Sequence, residues 1–240
     1  MYKKIYEAYG KNDNINIILD VKENFTNSNP IKKCIDNFYR IGTEKFKNEN
    51  YLQSDEIPER FTIYYLLEPT DKVLEIGGAE GGVSEIIAKK LNNPKNLVVL
   101  EPSNESFKKL DELSKKYNFN AFNGPLVNEN ENIKCDKIPN SFYDYYKCNT
   151  VNYKVDNNIT FKKLQEKYNI VFDTLVIDCE GCYEIFLEQH FQNGTLKDIK
   201  KIFIEWDGKF IENYFIKEGF VLIAMLPHKD LEKGVRVYVR

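Results

Sequence analysis

Residues 73–82 read Val-Leu-Glu-Ile-Gly-Gly-Ala-Glu-Gly-Gly, a short apolar run that leads into four glycines within six residues. The apolar run predicts a β-strand, and the spacing of Val83, Ile86, Ile87 and Leu91 after it predicts an amphipathic helix. A glycine-rich turn lets a ligand approach the backbone closely, and the free N–H groups at a helix start attract an anion. The stretch therefore predicts a turn that binds a carboxylate or a phosphate.

Apolar strands continue to alternate with amphipathic helices through the rest of the chain. Further strands are expected over 97–100, 120–122, 173–178, 201–206, 220–224 and 235–239. Strands that alternate with helices build a mostly parallel sheet with helices on both faces. Because no helix separates the last two strands, they should form an antiparallel hairpin. The fold class is therefore α/β, with a mostly parallel seven-stranded sheet that ends in an antiparallel hairpin.

The domain organisation follows from a change in composition near residue 56. Residues 1–56 are polar and rich in Asn and Lys, and we expect a mostly helical extension or cap with a short strand at 15–19. Residues 57–240 are expected to form the main domain. An Asn-rich stretch over about 128–158 is expected to be an insertion in that domain with one hairpin.

Charge and composition narrow the class of partner. The chain has 34 Lys+Arg against 37 Asp+Glu, a net charge of −3, so a dedicated nucleic-acid binder is not favoured. Its 42% hydrophobic and 14% aromatic residues suffice to fill a core and argue against disorder. A small molecule is the better expected partner.

The expected location is the cytoplasm. No apolar run is long enough to span a membrane, and the first residues do not resemble a signal peptide. The five cysteines are an odd number in a chain of this length, so free thiols in a reducing compartment are the simplest interpretation. The Cys-x-x-Cys at 179–182 is expected to pack as small apolar residues rather than to bind zinc.

Glu101 follows the second predicted strand, 24 residues after Gly77. A carboxylate there can accept both ribose hydroxyls of an adenosine. The dinucleotide pattern Gly-x-Gly-x-x-Gly fails at Ala79, which disfavours a bulky pyrophosphate. A smaller charged tail, such as the methionine part of S-adenosylmethionine (SAM), fits better. The alternative is that the glycines only form a tight turn and Glu101 only ends a strand.

These segments resemble the FkbM-type family of class I SAM-dependent methyltransferases over about residues 73–220. The resemblance rests on residues 74–81, 100–103 and 159–164 and, most specifically, on Leu-Val-Ile-Asp-Cys-Glu-Gly-Cys-Tyr at 175–183. That last segment is similar to the family's Lys-x-Asp-x-Glu-Gly. The resemblance implies a Rossmann-like methyltransferase sheet and methyl transfer, usually to a hydroxyl and often on a sugar.

The chain departs from the family at two positions of these segments. Glu75 stands where the family usually has Asp, and Val176 where it usually has Lys, whereas Glu205 matches the acid that ends the family's next strand. The extension and the insertion match no part of the family, so the identity of the acceptor stays open.

Cofactor contacts are expected from the glycine turn and from the neighbouring strand ends, where the third strand usually supplies a contact to adenine. These residues are Glu75, Gly77, Gly78, Ala79, Gly81, Glu101, Pro102, Asn123 and Asp178.

The catalytic candidates lie after the later strands. A hydroxyl acceptor needs a proton acceptor near the methyl group. Asp178 and Glu180 both face the cleft if the chain stays extended, and close carboxylates raise one pKa, which suits a base. They could instead hold the substrate or the cofactor's amino group, or bind Mg²⁺ together with Glu205 and Asp207. His228, between the last two strands, is the other candidate base.

Three hypotheses for the function follow. The leading one is a SAM-dependent O-methyltransferase that acts on a small molecule or glycan. Methylation of a nucleobase amine is less favoured, because Asp-Cys-Glu-Gly at 178–181 replaces the Pro-Pro-aromatic motif of such enzymes. A non-catalytic SAM-fold module that binds a partner is the third.

Overall fold

The computed structural model describes residues 39–48, 56–129, 131–137, 146–179, 190, 194–206, 212–228 and 234–240. The predicted strand at 15–19 lies outside these ranges. Glu180 and Asp207 also lie outside them.

Seven of the described strands form one sheet, in the order β10-β11-β9-β8-β1-β2-β3. The strands are β1 (Val73–Ile76), β2 (Leu97–Leu100), β3 (Asn120–Phe122), β4 (Leu126–Val127), β5 (Asn132–Lys137), β6 (Tyr146–Val151), β7 (Ile159–Thr160), β8 (Thr174–Ile177), β9 (Lys201–Trp206), β10 (Val221–Pro227) and β11 (Gly234–Val239). β1 pairs in parallel with β2 and β8, while β11 pairs antiparallel with both β10 and β9. The predicted sheet and its terminal hairpin are confirmed.

The strand order reverses at β1. From β1 the chain moves outward through β2 and β3, and then returns to the other side of β1 with β8 and β9. In an open parallel sheet, a crevice forms at the carboxyl ends of the strands at such a switch point. The segments after β1, β2 and β8 therefore meet at one place.

In the described part of the chain after residue 56, helices alternate with strands of the sheet, as predicted. These helices are α1 (Ile57–Leu66), α2 (Gly82–Lys90), α3 (Asn104–Tyr117), α4 (Phe161–Tyr168) and α5 (Glu212–Lys217). The Ser103 hydroxyl accepts the Ser106 N–H and caps α3, and the Thr160 hydroxyl accepts the Lys163 N–H and caps α4.

Two apolar clusters lie on opposite faces of the sheet. Because successive strand side chains alternate between faces, Val73 packs with α1, α2 and α3, while Leu74 packs on the face of α4 and α5. The strands β1, β2 and β8 are buried along their whole length. Both faces are covered, as continuous apolar strands predict.

Part of the N-terminal extension packs into the first of these clusters. Residues 39–46 are helical, and buried Tyr39 and Phe46 join the cluster that contains Ile57 and Phe61 of α1. A Cβ at Gly42 would lie 2.4 Å from Ile57 Cγ2, so glycine permits the close helix contact.

The Asn-rich stretch contains the predicted hairpin, formed by β5 and β6. Its ends are joined by β4 and β7, a short parallel pair that the sequence pattern did not predict. Cys135 on β5 stands opposite Cys148 in this register and is disulfide-bonded. Cys179 after β8 is also disulfide-bonded, although it packs against the core as expected of a small apolar residue.

The expectation of free thiols is therefore wrong for Cys135 and Cys179. The number of cysteines does not show which of them are close in space. Residues directly opposite in an antiparallel pair have Cβ atoms only about 5 Å apart, whatever their separation in sequence. The cytoplasmic location stays a prediction. None of the helices in the described ranges has the length and apolar character that a membrane crossing requires.

Candidate functional site

The glycine turn joins β1 to α2 in a backbone conformation that favours glycine. Gly77 has φ of 90° and Gly81 of 94°, and Ala79 between them has φ of 44°. The N–H groups of Gly77 and Gly78 both donate to the carbonyl oxygen of Leu100, each at 3.0 Å. The turn is thus held against the end of β2.

The glycines are required by packing within the chain itself. A Cβ at Gly77 would lie 1.6 Å from the Asp178 carbonyl oxygen, and one at Gly78 would lie 2.2 Å from Val99 Cγ1. A Cβ at Gly81 would lie 2.4 Å from Leu113 Cδ2. The turn therefore fits closely between β8, β2 and α3, and the glycines alone do not demonstrate a ligand.

Glu101 connects the turn to the end of β2. Its Oε2 accepts the Ala79 N–H at 2.8 Å and its Oε1 accepts the Ser103 N–H at 2.6 Å. Burial raises the pKa of this carboxyl, and the two N–H groups oppose the shift. Because a carboxylate oxygen has two lone pairs, each oxygen can accept one further hydrogen bond.

Glu75 lies beneath the turn, on the face of the sheet that α1 and α2 cover. Its residue surface is only 2% exposed. Burial raises the pKa of the Glu75 carboxyl to about 8, a shift that the Ser84 hydroxyl opposes and the charges of Glu56 and Glu101 increase. The carboxyl is therefore neutral at pH 7.

An ion pair from α1 sits at the start of α2, where sequence analysis placed no residue. Arg60 is fully buried, and its Nη2 lies 2.7 Å from Glu56 Oε2. A Cβ at Gly82, the first residue of α2, would lie 2.4 Å from Glu56 Oε2 and 2.5 Å from Arg60 Nη2. The chain's own carboxylate and guanidinium therefore occupy the helix start that the sequence assigned to an anionic ligand.

Three acids converge under α1 because of the alternation of side chains along a strand. Each acid stands two residues after an apolar residue of the α1 face: Glu75 after Val73, Asp178 after Val176 and Glu205 after Phe203. Residues two apart on a strand share a face. The strand ends thus direct these carboxylates toward the same helix.

Glu59 of α1 and His228 after β10 complete this group. His228 Nε2 lies 2.9 Å from Glu59 Oε1 and 3.7 Å from Glu205 Oε1. Burial raises the pKa of Asp178 well above 3.8, and a hydrogen bond and charge from Glu205 add to the shift. Burial likewise raises the pKa of Glu59 to about 7, against the lowering effect of His228.

The structure brings most of the predicted site residues to this edge of the sheet. Asp178, Glu205 and His228 meet in one group, and the turn meets Glu101 beside it. Asn123 lies after β3, and its Nδ2 donates to Asn104 Oδ1 at 2.5 Å. His190 lies away from this edge, buried beside Phe161, and burial lowers its pKa to about 4.

Sequence analysis missed Glu56, Glu59 and Arg60. Acids and bases spaced three or four residues apart usually mark an exposed helix face. The first seven residues of α1, Ile57 to Ile63, are nevertheless all buried. The available signal was Glu59 itself, which stands one helical turn before Ile63 on an otherwise apolar face.

No protein-family model and no curated protein matches this chain. Among solved structures, it is similar to an NADB-Rossmann superfamily protein from Streptococcus agalactiae, with 8% identity, a TM-score of 0.51, and coverage of 80% of this chain and 70% of that one. It also matches a putative RNA methyltransferase from Pyrococcus horikoshii, with 12% identity, a TM-score of 0.46 and coverage of 86% and 96%.

A third match is an O-methyltransferase from Bacillus cereus in complex with SAH, with 12% identity, a TM-score of 0.45 and coverage of 86% of this chain and 90% of that one. The likeness to the Streptococcus agalactiae protein supports the Rossmann-like fold. At these identities, no likeness bears on the reaction.

Proposed function

We propose that this chain is a SAM-dependent methyltransferase of the FkbM type that methylates a hydroxyl of a small molecule or glycan. The observation that carries the proposal is the hydrogen bond of 2.8 Å from the Ala79 N–H to Glu101 Oε2. It joins a glycine turn and a buried carboxylate at the switch point of the sheet, where a nucleoside ligand binds in open α/β sheets. The similarity of residues 175–183 to the family motif supports the reaction type.

The adenosine end of the cofactor would lie between β2 and β3. The remaining lone pairs of Glu101 would accept the two ribose hydroxyls. The Gly124 N–H donates to the Glu101 carbonyl oxygen at 3.1 Å, so the end of β3 lies beside this carboxylate. Asn123 Oδ1 is buried and accepts no hydrogen bond from the residues that the structure describes, and it could accept the adenine amino group.

The amino-acid end of the cofactor would lie at the start of α2. The cofactor's carboxylate would replace that of Glu56 against Arg60, which already sits beside Gly82. A guanidinium binds a carboxylate through paired hydrogen bonds, and the helix start adds its dipole. Glu56, whose side chain is 21% exposed, can turn outward without unfolding α1.

The acceptor would lie over the ends of β8 and β9. In the reaction, the acceptor oxygen forms a bond to the methyl carbon, the C–S bond breaks with its electrons left on sulfur, and the hydroxyl proton passes to a base. We assign that base to Asp178, because its backbone contacts Gly77 of the turn. His228 is engaged by Glu59 at 2.9 Å and is less available.

Transfer of labelled methyl groups from SAM to a panel of glycans, small hydroxylated molecules and nucleotides tests the reaction. We expect transfer to a hydroxyl acceptor, and a lower kcat in Asp178→Asn with little change in SAM affinity. Transfer to nucleobases alone would contradict the proposed acceptor, and full turnover by Asp178→Asn would remove it from the mechanism. SAH binding without transfer to any acceptor would favour a non-catalytic binding module.

Calorimetry with SAH and with 5′-methylthioadenosine, which lacks the amino-acid part, tests the assignment of Arg60. We expect Arg60→Met to lower the affinity for SAH by about tenfold or more, as for a lost hydrogen bond to a charged group. The affinity for methylthioadenosine should stay unchanged. Glu56→Gln should raise the affinity for SAH but not for methylthioadenosine, because it removes the competing carboxylate. An equal effect on both ligands would contradict the assignment.

A further inference from the structure

We propose that Glu59, Glu205 and His228 form a binding site for a divalent transition-metal ion. One oxygen of each carboxylate and one imidazole nitrogen lie within 4.8 Å of one another. This set differs from the Mg²⁺ ligands considered from sequence, which were Asp178, Glu180, Glu205 and Asp207. The proposal does not rest on methyl transfer, since a metal can bind whether or not the chain is an enzyme.

A bound cation would compensate the charge of these buried carboxylates. The side chains of Glu59, Glu205 and His228 are only 7%, 12% and 9% exposed. Asp178 adds a third carboxyl in contact with Glu205, while the guanidinium of Arg60 is directed to Glu56. A buried carboxyl group either keeps its proton or, when ionised, is paired with a cation or coordinates a metal.

A second observation concerns the other oxygen of Glu59. Its Oε1 contacts His228, whereas Oε2 is buried and has no hydrogen-bond partner among the residues that the structure describes. A buried carboxylate oxygen without a donor costs free energy. A cation held by both oxygens of the Glu59 carboxylate would satisfy Oε2 as well.

The spacing of the donor atoms suits one shared ion. Metal–ligand distances of about 2.1 Å place neighbouring ligands about 3.0 Å apart at right angles and about 3.4 Å apart at a tetrahedral angle. His228 Nε2 lies 2.9 Å from Glu59 Oε1 and 3.7 Å from Glu205 Oε1. Small shifts of the side chains would therefore admit an ion.

The donor set indicates the kind of ion. Mg²⁺ and Ca²⁺ prefer oxygen ligands alone, whereas imidazole nitrogen suits transition metals. Two carboxylates and one imidazole therefore favour an ion such as Mn²⁺ or Zn²⁺ over Mg²⁺.

Electron paramagnetic resonance with Mn²⁺ tests the site on the full chain, treated with chelator and without a polyhistidine tag. Free Mn²⁺ gives a sharp spectrum that broadens when it binds protein. We expect one bound equivalent in the wild type and at least about tenfold weaker binding in Glu59→Gln and in His228→Gln. Glu44→Gln, which removes a carboxylate that is 69% exposed, is the matched control and should bind as the wild type does.

A nitrogen-specific readout separates coordination from a merely structural effect. The chain has only two histidines, His190 and His228. Electron spin echo modulation by imidazole nitrogen should appear with wild-type chain and Mn²⁺, and should be absent in His228→Gln. If that variant fails to fold, saturating Mn²⁺ should still raise the melting temperature of the wild type.

Three results would overturn the proposal. One is a wild-type spectrum that stays that of free Mn²⁺. The second is wild-type affinity in both Glu59→Gln and His228→Gln. The third is displacement of Mn²⁺ by an equal concentration of Mg²⁺. If the wild type binds Mn²⁺ but does not bind SAH, that result would contradict the proposed function but not the metal site.

Discussion

The carboxyl of Glu75 is buried, and among the residues that the structure describes no cation stabilises its charged form. Its folded-state pKa of about 8 lies above the ordinary 4.5, because burial disfavours the charged form. Between these two values, the folded chain binds more protons than the unfolded chain. The free energy of unfolding should therefore fall as the pH rises from 4.5 to 8.

Glu75→Gln should remove this part of the pH dependence. Glutamine keeps the shape of a neutral carboxyl, so the variant should resemble the wild type at pH 5. At pH 8.5 it should be more stable, by on the order of a few kcal/mol. Urea unfolding at the two pH values measures this, with Glu44→Gln as an exposed control. An equal difference in stability at both pH values would contradict the account.

Gly78 shows that packing within the chain can by itself require a glycine in this turn, without any ligand. Gly78→Ala should cost about 1–3 kcal/mol, because the added Cβ would lie 2.2 Å from Val99 Cγ1. Urea unfolding measures the cost, and a double-mutant cycle with Val99→Ala should recover part of it. Strict additivity in the cycle would show that the contact is not the cause.

At the scale of elements, the packing of α1 determines which side chains meet the carboxylates at the strand ends. The alternation of residues along β1, β8 and β9 is enough to predict that Glu75, Asp178 and Glu205 share a face. It does not predict which helix covers that face. Only the packing of α1 on β9, β10 and β11 brings Glu59 to His228. That contact joins residues 169 positions apart, so spacing in the sequence could not reveal it.

The capping of α4 gives a prediction at the scale of one element. The Thr160 hydroxyl accepts the Lys163 N–H, which has no partner within the first turn. Thr160→Ala should lower the free energy of unfolding by about 1 kcal/mol. Because α4 packs on the face opposite α1, SAH affinity should not change. Thermal unfolding and calorimetry measure the two quantities, and Thr160→Ser, which keeps the hydroxyl, should restore most of the loss.

For the whole molecule, the sheet was predictable because most of its strands are mainly apolar and the helices between them show apolar residues three or four positions apart. The antiparallel pairing of β10 with β11 was predictable from the missing crossover helix, whereas the place of β11 between β9 and β10 was not. The β4–β7 pair was not predictable, because two residues on each strand carry no periodicity. The disulfide of Cys135 and the group around Glu59 also depend on contacts between distant segments, which only the folded chain specifies.

The central claim is that the crevice beside Glu101 binds the adenosyl group of SAM, and titration calorimetry with SAH measures this most directly. The wild type should bind one SAH per chain. Glu101→Gln should lose roughly 1.5–3 kcal/mol of binding free energy, about ten- to a hundredfold in affinity, because the ribose loses its charged acceptor. Glu44→Gln should bind as the wild type does. No detectable binding by the wild type, or undiminished affinity in Glu101→Gln, would contradict the claim.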